Sequence, residues 1–342
     1  MKRAKTPLMF ILAALAAVAA IILCIGAGSV FIPPAHVAAI FSNALWGSPL
    51  PPDLQQGSAE IILSVRTPRV LLAFITGAAL SVCGAAVQSV LRNPLASPFT
   101  LGTSAGASLG ASLVFAGGIT IFGGFTSAVF GLTGAIITMF AMVAFAKALD
   151  GSLQSSTVVL TGMVLSLFIS AVVTLIANIA DEKYKQIMKW QTGSFAGRGW
   201  ESALYLGIVL LICTVLFILL SSPLDLLTFG DEQAQSAGLD TKKYKAALLI
   251  LAAVLSGTAV AFAGVIGFVD LIAPHIARKL FGVRHKVLIP MSALLGGTFM
   301  VLCDLAARVA VIPNELPVGV VTSLLGAPFF AYIYFRRRRR KV

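Results

Sequence analysis

The sequence predicts an all-α integral membrane protein of about ten transmembrane helices. Its 342 residues are 58% hydrophobic and only 11% charged, and the charged share is less than half that of an average soluble domain. A membrane-spanning helix needs roughly 20 apolar residues, so the chain has room for about eight to twelve spans. The longest polar stretches, 181–201 and 223–245, are too short to bury a core. We therefore expect one transmembrane domain over residues 1–342.

Ten apolar runs, separated by polar, glycine and proline clusters, predict the individual spans. The run that begins at Leu8 follows a basic start but lacks a convincing cleavage site, so we interpret it as an uncleaved first span. The predicted spans cover residues 8–30, 69–91, 97–116, 119–147, 157–179, 202–221, 245–264, 267–281, 287–310 and 317–335.

Small residues and prolines indicate where these spans pack closely or break. The string from Gly102 to Gly110 has small residues at positions 102, 104, 106 and 110, which allow helices to approach closely in lipid. Prolines and polar residues interrupt the segments 91–106 and 264–275. Such breaks in both halves are typical of a transporter built from repeats, although kinking of packed helices explains them equally well.

The basic residues predict the orientation. With a cytoplasmic N-terminus, ten spans return the C-terminus to the same side, and 18 of the 25 lysines and arginines then fall in cytoplasmic segments. This is the sense that the positive-inside rule requires. The run at 336–341 supplies six of the 18. Membrane topology therefore explains the net charge of +12 better than nucleic-acid binding does.

The cysteines and histidines do not indicate a disulfide framework or a metal site. Each cysteine stands alone in an apolar run and is predicted to be a small buried hydrophobe. The cysteines are Cys24, Cys83, Cys213 and Cys303. His36, His275 and His285 are far apart and lack zinc-site spacing. The chain also has no Gly-Lys dipeptide, so it lacks the phosphate-binding loop of P-loop ATPases and is not expected to hydrolyse ATP.

Ionisable residues deep in apolar runs are costly and therefore informative. The candidates are Asp270, His275 and Asp304. Asp304 precedes Arg308 by one helical turn, so the two side chains can form a structural ion pair. Asp270 can serve as a coupling site, line a pore or lie at a helix end that a cavity hydrates.

The polar loop 223–245 predicts a short helix with an acidic first turn at Asp231 and Glu232 and a glycine stop at Gly238. A compact helix of this kind suits docking to a partner. A plain connecting loop explains the same residues equally well.

An ordered set of short motifs runs through nearly the whole chain. The motifs are Arg66-Thr-Pro-Arg69-Val, the glycine-rich stretch 77–84 with Gln88, Arg92-Asn-Pro-Leu-Ala-Ser-Pro98, Leu101-Gly-Thr-Ser-Ala-Gly106, Gly230-Asp-Glu-Gln-Ala234 with Gly238, Gly264-Val-Ile-Gly-Phe268, Pro274-His-Ile-Ala-Arg278, Glu315-Leu-Pro-Val-Gly319 and Leu325-Gly-Ala-Pro328. Together they resemble the FecCD-type permeases, the membrane subunits of ABC importers for iron siderophores, haem and vitamin B12.

The resemblance implies the type II ABC importer permease fold and a dimer around one translocation path, formed by two copies of this chain or by this chain and a paralogue. It also implies two cytoplasmic ATP-binding subunits, which would bind ATP and Mg, and an extracytoplasmic substrate-binding protein. No cofactor is expected in this chain itself.

The resemblance also implies roles for particular residues. The coupling helix that docks on the ATPase would contain Gly230, Asp231, Glu232, Ala234 and Gly238. Exposed, outward-facing Arg66, Arg69 and Arg308 would meet acidic residues of the binding protein, although a role as interfacial anchors is the alternative. Ser155 and Ser156, just before the fifth predicted span, match the cytoplasmic gate. The family usually has a small residue where this chain has Asp270.

From these observations we expect an importer permease in the bacterial cytoplasmic membrane that moves a ferric siderophore or a related metal chelate by alternating access. Haem and cobalamin are alternative substrates. A different class, an ion-coupled secondary transporter, would use Asp270 or Asp304 as its coupling carboxylate.

Overall fold

The structure is a computed structural model that describes residues 6–28, 30–150 and 153–338. Within these residues the regular secondary structure is helical. The helices are α1 (Thr6–Gly26), α2 (Pro34–Trp46), α3 (Ser58–Val90), α4 (Thr103–Gly117), α5 (Thr126–Asp150), α6 (Ser155–Ile179), α7 (Tyr184–Gln191), α8 (Trp200–Leu219), α9 (Ser221–Phe229), α10 (Asp231–Ser236), α11 (Thr241–Ala263), α12 (Val269–Phe281), α13 (His285–Val309) and α14 (Val318–Arg338).

All ten predicted spans coincide with helices. Seven helices in the described part of the chain are long and apolar enough to cross a membrane, namely α1, α3, α5, α6, α8, α11 and α13. Helices α4, α12 and α14 occupy the three remaining predicted spans. The prediction of an all-helical membrane protein is confirmed. Of the basic residues that predict the orientation, Lys2, Arg3, Lys5 and residues 339–341 lie outside the described residues.

Several predicted boundaries are corrected by the structure. Helix α1 ends at Gly26 instead of residue 30, and α4 begins at Thr103 instead of residue 97. Helix α3 begins at Ser58, eleven residues before the predicted start of its span at 69, and contains a π-helical stretch over Ile61–Arg66. The polar residues of this first part conceal the helix from a hydropathy analysis, although Ser58, Arg66 and Thr67 among them are buried within the protein.

Helix α3 lies at the centre of the bundle, and 83% of the residues in its most apolar 18-residue stretch are buried. It packs against α8, α11, α12 and α13. A Cβ atom added at Gly77 would lie 2.3 Å from the carbonyl oxygen of Gly296 on α13, so only glycine permits this approach. The predicted close packing near Gly106 is also confirmed, because a Cβ there would lie 2.4 Å from the carbonyl oxygen of Gly134.

Both predicted breaks are present. Turns and a short 3-10 helix separate α3 from α4, and non-helical residues with Phe268 at φ 70° separate α11 from α12. The two breaks meet, since the hydroxyl of Ser97 donates a hydrogen bond to the carboxylate of Asp270. A Cβ at Gly84 would lie 1.8 Å from the carbonyl oxygen of Asp270, so α3 and α12 are in tight contact here.

Helices α3 and α13 run antiparallel and define the two ends of the bundle. Arg69 of α3 contacts Asp304 of α13 at one end, and Ser89 of α3 contacts His285 of α13 at the other. Twenty helical residues separate Arg69 from Ser89, which at ~1.5 Å per residue is about 30 Å, the thickness of a bilayer core. We call these the arginine end and the α10 end, because α9, next to α10, contacts His285.

Candidate functional site

At the arginine end, two arginines satisfy the backbone carbonyls at the end of α1. Arg66 donates to the carbonyl oxygens of Gly26 at 2.8 Å and Val30 at 2.6 Å. Arg308 donates to those of Cys24 and Ala27, each at 2.9 Å. The last carbonyls of any helix lack intrahelical partners. These contacts therefore join α3 and α13 to the end of α1.

Arg69 lies beside them in an ion-pair cluster. Its guanidinium is 3.0 Å from Asp304 and 2.8 Å from Glu315. Asp304 also lies 3.0 Å from Nε of Arg308, which confirms the predicted ion pair one helical turn apart. Asp304 is 1% exposed, whereas the side chain of Glu315 is 41% exposed. Glu315 is thus the member of the cluster that a partner can reach most easily.

The prediction that Arg66, Arg69 and Arg308 are exposed is wrong. Arg66 and Arg69 are 8% exposed and Arg308 is 6% exposed. They line a cavity of about 290 Å³ whose other polar lining includes Gln55 and Glu315. Their guanidinium groups stabilise the fold through contacts within this chain, while a docking role stays a prediction.

At the α10 end, the predicted short helix is present as α10. Gly230, at φ 120°, directly precedes it, and its acidic first turn contains Asp231 and Glu232. Ala234 is fully buried and Glu232 is exposed. Gly238, at φ 85°, follows the helix in a backbone conformation that favours glycine. The alternative interpretation of residues 223–245 as a plain connecting loop is therefore wrong. The segment contains the helices α9 and α10, and Lys245 lies in α11.

A buried lysine attaches α10 to the bundle. Nζ of Lys245 lies 2.6 Å from Oδ2 of Asp231 and 3.4 Å from the carbonyl oxygen of Leu153. Lys245 is 1% exposed, so its ammonium group depends on these partners. The contact holds α10, the start of α11 and the segment before α6 together.

The predicted coupling and gate residues share one polar cleft. Ser155 and Ser156, which the sequence places just before a span, form the first turn of α6. They line a cleft of about 650 Å³ together with Phe229, Asp231 and Glu232. The structure therefore brings α10 and the two serines together, although their chain positions are about 75 residues apart.

Sequence reasoning missed a buried polar network next to this cleft. Nδ1 of His285 lies 2.5 Å from Oδ1 of Asp225 on α9, and Nε2 lies 2.7 Å from Oγ of Ser89 on α3. The backbone N–H of His285 also donates to Asp225 at 3.1 Å. His285 is fully buried. Because these residues are at least 60 positions apart, no local motif could have indicated the contact.

The network continues to the break before α12. Arg278 donates to the side chain of Gln88 and, at 3.1 Å, to the carbonyl oxygen of Ala85. Gln88 in turn donates to the carbonyl oxygen of Asp270 at 3.0 Å. The carboxylate of Asp270 is 1% exposed, and its Oδ1 has no hydrogen-bond donor among the described residues.

The comparisons with known proteins agree with this architecture. The sequence model of the FecCD transport family matches residues 15–336. The chain is 40% identical over 321 residues to the uncharacterized ABC transporter permease protein YvrB of Bacillus subtilis, a match that covers 93% of this chain and 91% of YvrB. It is 36% identical over 289 residues to the Fe(3+)-citrate import system permease protein YfmD of the same organism, with 83% and 85% covered.

A solved structure described as an inward-facing conformation of a metal-chelate type ABC transporter superposes with a TM-score of 0.81. The identity is 30%, and the match covers 96% of this chain and 99% of that one. The helical bundle and the polar sites at its two ends define a multi-pass membrane permease. The chain belongs to the FecCD transport family.

Proposed function

We propose that this chain is the permease subunit of an ATP-driven importer that moves a ferric siderophore or a related metal chelate across the cytoplasmic membrane by alternating access. The observation that supports this most strongly is the exposed helix α10, which a buried lysine attaches to the membrane bundle beside a polar cleft. Membership of the FecCD family and the similarity to a Fe(3+)-citrate import permease favour a metal chelate as the substrate.

Helix α10 is proposed as the coupling helix that docks on an ATP-binding subunit. Glu232 and Gln233 are exposed, and the neighbouring side chain of Phe229 is 71% exposed. Aromatic residues are enriched in protein interfaces, and polar residues such as Glu232 and Gln233 suit the rim of one. The partner ATPase subunits would bind ATP and Mg, so this chain is a transport subunit without catalytic residues of its own.

The charges favour a cytoplasmic location for the α10 end. Five exposed basic residues cluster near it, at the start of α11 and around the turn between α12 and α13. They are Lys242, Lys243, Lys279, Arg284 and Lys286. Cytoplasmic loops are enriched in such residues. With about ten spans, both termini then also lie in the cytoplasm, and the arginine end faces the outside.

In the proposed mechanism, closure of the ATPase subunits moves α10, and two contacts pass this motion to the spans. The Lys245 to Asp231 pair transmits it to α11, and the Asp225 to His285 contact transmits it from α9 to α13. Ser155 and Ser156, at the start of α6, act as the cytoplasmic gate beside α10.

A substrate-binding protein is proposed to dock at the arginine end. Its acidic side chains would compete with the partly exposed Glu315 for Arg69. Charge complementarity of this kind supports fast, repeated association. A second permease, either another copy or a paralogue, completes the translocation path.

The test is uptake of an iron-loaded siderophore by cells that lack this chain, complemented with the wild type or with Glu232→Lys. We expect deletion to abolish uptake, the wild type to restore it and the reversal to weaken it. Unchanged siderophore uptake on deletion would move the assignment to haem or cobalamin, which the same cells can be given. Full transport by the purified permease alone, driven by a proton or sodium gradient, would contradict ATP-driven import.

A further inference from the structure

A cleft that no part of the proposed mechanism uses lies between α7 and α8. Its volume is about 300 Å³, and its polar lining consists of Gln186, Lys189, Trp190, Ser194 and Arg198. The remaining lining is apolar or glycine. Within the described part of the chain, the cleft is lined by two cations and no carboxylate.

The guanidinium group of Arg198 has no counter-ion among the described residues. It is partly buried, and no described side chain forms an ion pair or hydrogen bond with its guanidinium. Burial lowers the pKa of Arg198, as expected for a positive charge that is desolvated without compensation. This contrasts with Arg69 and Arg308, each of which forms an ion pair with Asp304.

The lining also supplies an unused neutral donor. Trp190 is 8% exposed, and its Nε1–H has no acceptor among the described residues. A buried donor without an acceptor is costly. A ligand that accepts hydrogen bonds would remove this cost, and an anion would also compensate Arg198.

The cleft is at the arginine end of the bundle. Nε1 of Trp200, two residues after Arg198, donates to the carbonyl oxygen of Leu63 on α3 at 2.9 Å. The backbone N–H of Val318, three residues after Glu315, donates to the carbonyl oxygen of Gly193 at 3.2 Å. Under the proposed orientation, the cleft therefore opens on the side from which substrate arrives.

We propose that this cleft binds the anionic groups of the metal chelate as it enters the permease, with Arg198 and Lys189 as the principal charges. The inference rests on the proposed function and narrows the substrate to chelates that carry negative charge, such as those with free carboxylates. Arginine suits this role because its planar guanidinium can donate two parallel hydrogen bonds to one carboxylate. Trp190 adds a directional neutral donor to the lining.

The experiment is equilibrium dialysis of radiolabelled ferric citrate against the full-length chain in lipid nanodiscs, at low and high salt. The variants are Arg198→Gln and Lys189→Gln, and the matched control is Lys185→Gln, which removes an exposed charge from α7 that does not line the cleft. We expect at least a tenfold loss of affinity for Arg198→Gln, a smaller loss for Lys189→Gln and less than a twofold change for the control. Affinity of the wild type should fall as salt rises.

Equal binding by the wild type and the Arg198→Gln, Lys189→Gln double variant would overturn the proposal. The proposal would also be overturned if the wild type fails to bind ferric citrate while the purified substrate-binding protein protects Lys189 from chemical labelling. The occupant of the cleft would then be an acidic protein surface. The assay needs neither ATP nor a partner. The two proposals can therefore fail separately. If the chain binds ferric citrate through Arg198 but its deletion leaves the uptake of all chelates unchanged, the proposed function is contradicted and the binding site is not.

Discussion

Nζ of Lys245 lies 2.6 Å from Oδ2 of Asp231, and this ion pair joins the first turn of α10 to the spanning helix α11. The lysine is 1% exposed and the aspartate side chain is 30% exposed. Removing one partner of a fully buried ion pair costs about 3–5 kcal/mol, because the other charge stays buried without compensation. The partial exposure of Asp231 should reduce that cost here.

The first prediction concerns this pair. Lys245→Met keeps most of the apolar stem but removes the charge. Helix α10 should then be held to α11 less firmly, through the remaining contact of Gln235 with Thr241, while the bundle stays folded. We expect at least a tenfold loss of substrate uptake and destabilisation by about 1–3 kcal/mol. Uptake in complemented cells and thermal unfolding of the purified chain measure the two effects. Lys243→Met, at an exposed position two residues earlier, is the control and should change neither.

The second prediction separates docking from folding at α10. Glu232 is exposed and makes no side-chain ion pair among the described residues, so Glu232→Lys should leave stability within about 0.5 kcal/mol of the wild type. If α10 docks on an ATPase, the reversal should still reduce co-purification of the ATPase subunit several-fold. Asp181→Lys makes the same charge change on an exposed residue in the loop between α6 and α7 and should not affect co-purification. Equal retention of the ATPase by both variants would argue against α10 as the docking helix.

The third prediction tests whether the arginine cluster stabilises the fold. Asp304 lies 3.0 Å from both Arg69 and Arg308, so Asp304→Ala leaves two buried guanidinium groups with less compensation. We expect a loss of about 3–5 kcal/mol of stability. Glu315→Gln, at the partly exposed edge of the same cluster, should cost less than about 1 kcal/mol. Thermal unfolding of the two purified variants gives the comparison. Similar losses of stability for both would contradict the difference in burial between Asp304 and Glu315.

The spanning helices of this protein could be predicted from sequence, whereas the environment of its charges could not. Apolar runs of about 20 residues indicate spans because lipid offers no hydrogen-bond partners to the backbone. The burial of Arg66 depends on the carbonyl oxygens of Gly26 and Val30, 40 and 36 residues away. Arg69 depends on Asp304, 235 residues away. A basic residue next to an apolar run looks the same in sequence whether it faces water or the end of another helix.

Two helices outside the predicted spans, α2 and α7, were missed for a related reason. Helix α2 begins with Pro34 and ends before Gly47 in a left-handed conformation, which are recognisable start and stop signals. Its polar residues divide the apolar run, so an analysis of hydropathy alone treats it as a loop. The same applies to α7. The candidate anion cleft could not be predicted because it requires Phe115 and Ala263, both more than 60 residues away in sequence, to meet α7 and Arg198 in space.

The fourth prediction concerns the close contact of α3 and α12. A Cβ at Gly84 would lie 1.8 Å from the backbone carbonyl oxygen of Asp270, which cannot move aside as a flexible side chain can. Gly84→Ala should therefore destabilise the chain by about 1–3 kcal/mol or more through overpacking. Gly124→Ala, where no atom of the described residues lies within 4 Å of the added carbon, is the matched control and should be nearly neutral. Unfolding of both variants in the same lipid or detergent measures the difference.

The last prediction separates the importer from an ion-coupled transporter. Asp304 pairs with two arginines, so Asp270 is the remaining candidate for a coupling carboxylate. Its carboxylate accepts a hydrogen bond from Ser97, and no described cation forms an ion pair with it.

Asparagine at position 270 has nearly the same shape and can still accept that hydrogen bond. Because a buried charge without a partner is costly, Asp270→Asn should leave stability unchanged or raise it, and uptake should stay within about twofold of the wild type if ATP drives transport. Ser97→Ala, which removes the hydrogen-bond donor, should instead destabilise the chain by about 1–3 kcal/mol. A complete loss of uptake by Asp270→Asn at normal stability would favour ion coupling, since a carboxylate that carries a proton or sodium ion cannot be replaced by an amide.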